Sequence, residues 1–491
     1  MTRLRLLAAA VLMTAAGLAA SAELGVLAPA LHDNAPATRP VPDGKGSAPV
    51  LTRVRDGKLF SALQREAAHG FTASMLELDE LAMQVAGAGK QTTWLQLAQE
   101  DGGFARRGFW LQDGSAMRWV DEPMVDLVVN EASIADGSFE EIFAHELGHV
   151  ILRRLVPNLP NGYSRTEHHS FSVTDQPTAF DEGWATHFQG IASLLTGNER
   201  LRAFDAGLEG KPFLPLWLSN LDRESRIIGM RQNWFVHRQV TPDGADDAIV
   251  RHDLSTLFDR ARLKNAPQML ATEGVLATVF YRQLAPSSRA GLAARYAPMF
   301  RSLRALSADK LDADTALLPA LAQAMQRTDP AEGQRFVTTL TQTTYGALSS
   351  PEIKAATEAL AAPGRLGDGD AFVPALQAIR KQFDAELAQV QAHPDKLAAH
   401  AGPALWLAHP GHKVAGQPLV VDLNTAEREH LLALPGIDAN ACERALASRA
   451  RDGNFTSIAD FAARAGLDAP QARAFEAMAQ ELKRMGPNRR E

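Results

Sequence analysis

His145-Glu146-Leu147-Gly148-His149, followed by Asp181-Glu182-Gly183-Trp184-Ala185-Thr186-His187, is the stretch on which the reading of this 491-residue sequence turns. Around it Phe143, Leu147, Val150, Ile151 and Leu155 recur at helical spacing, and Pro157 must end that helix. Ser138, with Glu141 three residues on, predicts a capping box at its start. On a helix, positions i and i+4 share a face, so the two imidazoles can converge on one divalent ion. Glu146 lies one residue round from the first imidazole. There a carboxylate can take a proton from water held by the ion without binding the ion itself. Ile142-Phe143-Ala144 and Val150-Ile151-Leu152 make both flanks apolar, as a buried metal-bearing helix requires.

A catalytic ion of this kind takes a third protein ligand and keeps one position open. Glu182 is the best candidate, 182 − 149 = 33 residues past the second histidine and near the start of a helix expected over about 179–195. Gly183 and Ala185 are small enough to let that helix pack close to the first. Asp181 is adjacent and could ligate instead, or act as an acid near the helix N-terminus. His168 and His169 sit in an irregular loop over 157–178, and His187 points elsewhere on the second helix.

Together the two motifs resemble the gluzincin zinc metallopeptidases, whose third ligand is a Glu in an Asn/Asp-Glu-Gly-aromatic-Ala setting. The resemblance covers 145–149 and 181–185, within a region of about 120–195. It implies an α+β zincin-like catalytic domain, Zn2+ on His145, His149 and Glu182, Glu146 as catalytic base, and a peptide or protein substrate. Where some members carry an Asp that orients a histidine, this chain has Thr186. For the donor that stabilises a developing oxyanion, Tyr281 is the first candidate, with His187, His237 and His169 as alternatives. The strand expected over Met124–Asn130 precedes the metal helix, as the substrate-binding edge strand does in zincins. Its Val125–Asn130 part reads equally well as a core strand. Trp217, Trp234 and Phe235 would wall the cleft or pack in the core.

The rest of the chain supplies context. Arg3 and Arg5, the apolar run from Leu6 to Ala20 and the small-x-small triplet Ala20-Ser21-Ala22 predict a signal peptide over 1–22, cleaved after Ala22. Export leaves a periplasmic or secreted protein. Loss of two arginines takes the net charge from −7 to −7 − 2 = −9, which argues against a general nucleic-acid binder. Residues 23–50 hold several prolines and read as a linker. A hairpin is expected around Asp113-Gly114. The zincin-like domain is placed at 51–198, and a mostly α-helical region at 199–418 completes or covers the cleft.

Asp422-Leu423-Asn424-Thr425-Ala426 through Leu434-Pro435-Gly436-Ile437-Asp438, continued by Asn454 to Phe461, resembles a helix-hairpin-helix module of the kind found in bacterial competence proteins. It implies a small all-α domain over 419–485. Members that bind DNA hold phosphate on glycine-rich hairpin amides. Here Asp438 replaces the second glycine, and 419–491 carries 10 Lys/Arg against 11 Asp/Glu. A packing or protein-contact role is therefore expected over DNA binding. Cys442, the single cysteine, is expected to be buried and inert.

Overall fold

A computed structural model describes residues 23–485 except 45, 100, 101, 164–169, 172, 208–225, 240–257, 287, 368, 403, 415, 416 and 427. The expected signal peptide, His168, His169 and Trp217 lie outside the described residues. The fold is mixed α+β, with helix predominating. Among the described residues no helix is long and apolar enough to cross a membrane.

Residues 23–50 are not a linker. They supply β1 (Leu24–Pro29), two short strands β2 (Leu31–His32) and β3 (Ala35–Pro36), and β4 (Thr38–Pro40), and they run into β5 (Ser47–Arg53). The prolines fall at strand ends or in short edge strands, where a missing N–H is tolerated. With β6 (Thr93–Leu97), β7 (Phe104–Asp113) and β8 (Ala116–Leu127) these strands form one sheet in the order β1-β6-β8-β7-β5-β4. Because β5 also pairs with β1, five of the strands close into a ring. The ring interior is a small core of Leu27, Leu51, Trp94, Phe109, Leu111, Val120 and Met124. Alternate residues, among them Val26, Leu95 and Val125, face outward into the main core, as the period of two dictates.

The Asp113-Gly114 hairpin forms, with Asp113 opposite Ala116. Its two turn residues are Gly114 and Ser115, and Gly114 alone has a positive φ of 60°. That is the Gly-x pattern of a type II′ turn, one residue later than the Asp-Gly reading. Val125–Asn130 is not an edge strand. Leu127 ends β8, and Met124 to Leu127 pair with β6 while Met124 to Asp126 also pair with β7. Both rows of backbone hydrogen bonds are therefore spent inside the sheet.

Of helices α1 (Lys58–Ala68), α2 (Gly70–Ala86), α3 (Glu131–Ala135), α4 (Ser138–Leu155) and α5 (Gln176–Leu195), α4 packs on β7 and β8 and α1 on β1, while α2 and α5 pack against α4. A short α6 (Glu199–Gly207) follows, then the hairpin β9 (His237–Gln239) and β10 (Phe258–Leu263), then α7 (Ala266–Leu270) and α8 (Glu273–Leu284). One continuous apolar cluster runs from Leu24 to Ala401. The helical region after 198 thus shares its core with α4 and α5, and the expected boundary at 198/199 has no counterpart in the packing. Trp234 and Phe235 belong to this core.

The C-terminal unit has a core of its own, built on Leu407, Leu423, Leu431, Leu434, Phe455, Phe461 and Phe475. It begins not at 419 but with the hairpin of strands Trp406–Val414 and Gln417–Asp422, so it is not all-α. Helices Arg428–Leu432 and Ala439–Asp452 flank Pro435-Gly436, where Gly436 takes a φ of 78°. Cys442 is fully buried there.

Candidate metal centre

The capping box expected at Ser138 is absent. Gly137 is the N-cap of α4, in a left-handed conformation with φ of 84°, and the Asp136 carboxylate accepts from the Ser138 amide at 2.9 Å. The reciprocal box lies one helix earlier, between Asn130 and Ser133 at the start of α3. α4 is buried along most of its length and ends at Leu155. Ile142 is the exception to the apolar-flank expectation. It is 42% exposed and lies one turn before Glu146, on the face that carries His145 and His149.

The second helix starts earlier than the sequence reading placed it. Asp175 caps α5 through the Thr178 amide at 2.8 Å, and Pro177 occupies the first turn, where its missing N–H is harmless. That Asp-x-Pro signal was present in the sequence. Asp181 and Glu182 accordingly lie in the second turn of α5, not at its N-terminal end, so an acid-at-helix-start role for Asp181 does not apply.

The two helices approach closely because Gly148 faces α5. A Cβ there would stand 2.8 Å from the Phe188 ring and 3.2 Å from Ala185 Cα. The indole N–H of buried Trp184 donates to the Gly148 carbonyl at 3.0 Å and fixes the helices against sliding. This contact brings three side chains together. His145 Nε2 and His149 Nε2 are 3.3 Å apart, and Glu182 Oε2 is 3.4 Å from the first and 3.5 Å from the second. Among the described residues His145, His149 and Glu182 are a group able to hold a metal ion. Glu146 is buried beside them, and Gly103, at the entry to β7, passes within 4.0 Å of its Oε1, measured from where a Cβ would stand.

Asp181 is not a member of this triangle. Its Oδ1 is 2.7 Å from His149 Nδ1, and its Oδ2 accepts from the Arg153 guanidinium at 2.5 Å. A carboxylate on the far nitrogen of a ligand histidine fixes the ring and its tautomer, leaving Nε2 to face the ion. Burial acts to lower the basicity of His149, but Glu182 and Asp181 outweigh it and hold its pKa well above the usual value. The same negative charge attracts a divalent cation in place of a proton. Burial acts to raise the Asp181 pKa, yet Arg153 and His149 keep it below the ordinary carboxylate range.

Thr186, four residues after Glu182, donates its hydroxyl to Glu273 Oε1 at 2.9 Å, and Ser170 donates to the same oxygen at 3.2 Å. A buried carboxylate therefore stands behind that position, delivered by α8 and invisible to any reading of local spacing. Among the described residues His145 Nδ1 has no hydrogen-bond partner.

Of the oxyanion-donor candidates, His187 is fully buried, and burial pushes its imidazole down to about 3. Its Nε2 meets the Tyr296 hydroxyl at 2.8 Å, and its ring packs among Trp184, Phe188, Phe280 and Tyr296. It is a core histidine. Tyr281 lies against Gly190 of α5. Gly190 is 190 − 182 = 8 residues beyond Glu182, about 12 Å along the helix at 1.5 Å per residue. His237 opens β9, beside Tyr345. Neither His187 nor Tyr281 joins the metal group.

No protein-family model, curated protein or solved structure matches the chain.

Proposed function

We propose that this protein is an exported zinc-dependent peptidase of gluzincin type, with His145, His149 and Glu182 holding the ion and Glu146 as general base. The observation that carries the reading is the triangle of ligand atoms with edges of 3.3, 3.4 and 3.5 Å. Tetrahedral ligands 2.0–2.1 Å from zinc stand about 3.3–3.4 Å from one another, so these atoms are spaced as that ion requires. Two imidazoles and one carboxylate suit zinc better than magnesium or calcium, which favour all-oxygen sets. Asp181 and Arg153 supply the supporting shell that such a site needs.

Zinc bound there would act as a Lewis acid, polarising a substrate carbonyl and acidifying water. Glu146, on the ligand face of α4 but outside the triangle, takes the proton from the attacking water and returns it to the leaving amine. Its burial keeps competing solvent from that carboxylate. The positive segment and apolar run over 1–20 support export to the periplasm or cell exterior.

The C-terminal unit is read as a packing or protein-contact module. At its hairpin Asp438 accepts from the Ala441 amide at 2.7 Å. Its carboxylate thus occupies the helix N-terminus at which a phosphate would otherwise be held.

The test pairs metal analysis with hydrolysis of a mixed peptide library. Glu146→Gln should retain zinc and lose roughly 10²–10⁴-fold in turnover. Equal turnover by wild type and Glu146→Gln would remove Glu146 from the mechanism.

A further inference from the structure

Arg153 sits four residues after His149 on α4, so its side chain leaves the same helix face one turn further on. Its guanidinium reaches three acceptors from two different segments. NH2 donates to Asp181 Oδ2 of α5 at 2.5 Å, while NH1 donates to the Leu159 carbonyl at 3.1 Å and to Asn161 Oδ1 at 3.4 Å. The other oxygen of the same Asp181 carboxylate meets His149 Nδ1 at 2.7 Å. The loop that Arg153 grips is held at a further point: the Tyr163 amide donates to Asp175 Oδ2 at 2.8 Å, and Asp175 caps α5.

We infer that Arg153 is a positioning residue that sets the metal-binding geometry of His149 through Asp181 and ties that geometry to the loop leaving the metal helix. The inference rests on the zinc reading above and deepens it.

Three physical points support it. First, a carboxylate on a two-rotor side chain can turn away from an imidazole, and a guanidinium that holds its second oxygen prevents that turn. Secondly, an Arg fork can serve Asp181 and the loop at once, whereas an ammonium is a point donor without that planar geometry. Thirdly, the Arg153 charge keeps Asp181 ionised, so its carboxylate stays an acceptor for the His149 ring. Side-chain exposure of 34% for Arg153 against 15% for Asp181 places the pair at the rim of the site, with the acid inside.

The experiment measures zinc affinity by competition with a chromogenic chelator, in the full chain, for wild type, Arg153→Met, Arg153→Lys, Asp181→Asn and the double variant Arg153→Met/Asp181→Asn. Outer-shell partners of ligand histidines typically contribute 10–100-fold in metal affinity. Arg153→Met should weaken zinc binding by that factor. Arg153→Lys, which keeps the charge but not the fork, should recover part of the loss. Because Arg153 acts through Asp181, its removal from the Asp181→Asn background should add less than about threefold, a strongly non-additive cycle. An unchanged dissociation constant in Arg153→Met, or fully additive effects in the cycle, would overturn the assignment. If Arg153→Met does not fold, Arg153→Lys alone decides: wild-type affinity there overturns the role of the fork. Absence of zinc binding by wild type would instead sink the zinc reading itself, so the two failures are distinguishable.

Discussion

Gly183→Ala sets two opposing effects against each other inside α5, next to Glu182, the proposed third ligand. Alanine is the better helix former, a gain of about 1 kcal/mol in an exposed helix interior. At this position, however, the added Cβ would stand 2.7 Å from Leu276 Cβ, 2.8 Å from the Glu273 carbonyl oxygen and 3.1 Å from the Ala277 amide nitrogen. None of these is the free end of a flexible side chain, and two are backbone of α8. The helices must move apart, and overpacking of a core typically costs about 1–3 kcal/mol. Contacts of 2.7 and 2.8 Å put the cost in the upper part of that range, about 2–3 kcal/mol, so steric conflict should win and leave a net destabilisation of about 1–2 kcal/mol. Since α5 is wedged between α4 and α8, its displacement also moves Glu182 relative to His145 and His149, and zinc affinity should fall with stability. Urea denaturation of metal-free protein measures the first effect, and chelator competition the second. Gly207→Ala, at the end of α6 with nothing within 4 Å of the new Cβ, is the control and should lose no stability. If Gly183→Ala proved as stable as wild type or more so, the close approach of α5 to α8 would be wrong.

Two further outcomes are expected. Asp422 is buried, accepts the amides of Leu405 and Asn424, and is raised by burial to a pKa of about 6 against an ordinary 3.8. The folded chain therefore takes up a proton between about pH 4 and 6. Its contribution is fully present below the unfolded value and is lost as pH rises through the folded one, on the order of 3 kcal/mol at about 1.4 kcal/mol per unit. Asp422→Asn should flatten the fall in stability over that window, and an unaltered slope in pH-dependent denaturation would contradict the assignment. Tyr281→Phe should leave peptide turnover within about twofold of wild type. A loss on the order of 100-fold, the effect of removing an oxyanion donor, would return Tyr281 to the active site.

The metal helix was legible because its signals are local: ligand spacing, apolar period and a terminating proline all lie within twenty residues. Glu182 was also legible, through its small neighbours and the acid beside it. The Asp181 role was not, since an acid one residue from a ligand can bind the ion, cap a helix or orient a ring, and only the distance to His149 Nδ1 separates these. Glu273 meets Thr186 from a position whose local sequence gives no hint of a metal, and Arg153, although one turn past His149, carries no local signal that Asp181 will be its partner. Tyr281 and His187 were attractive as residue types, yet one, on α8, packs against α5 two turns beyond Glu182 and the other is sealed in an aromatic core. The linker reading of 23–50 failed because proline content reports turn tendency, while strand pairing with β6 and β7 is a long-range property.

What the sequence by itself determined is the chemistry of one helical turn. Two imidazoles at i and i+4 share a face by helix geometry alone, and a carboxylate between them is offset from any ion they could hold. The tertiary structure decided which distant groups complete that turn. Their positions depend on how closely α4, α5 and α8 can pack, and that is set by Gly148 and Gly183 meeting partners 36 and 93 residues away in the chain, Trp184 and Leu276.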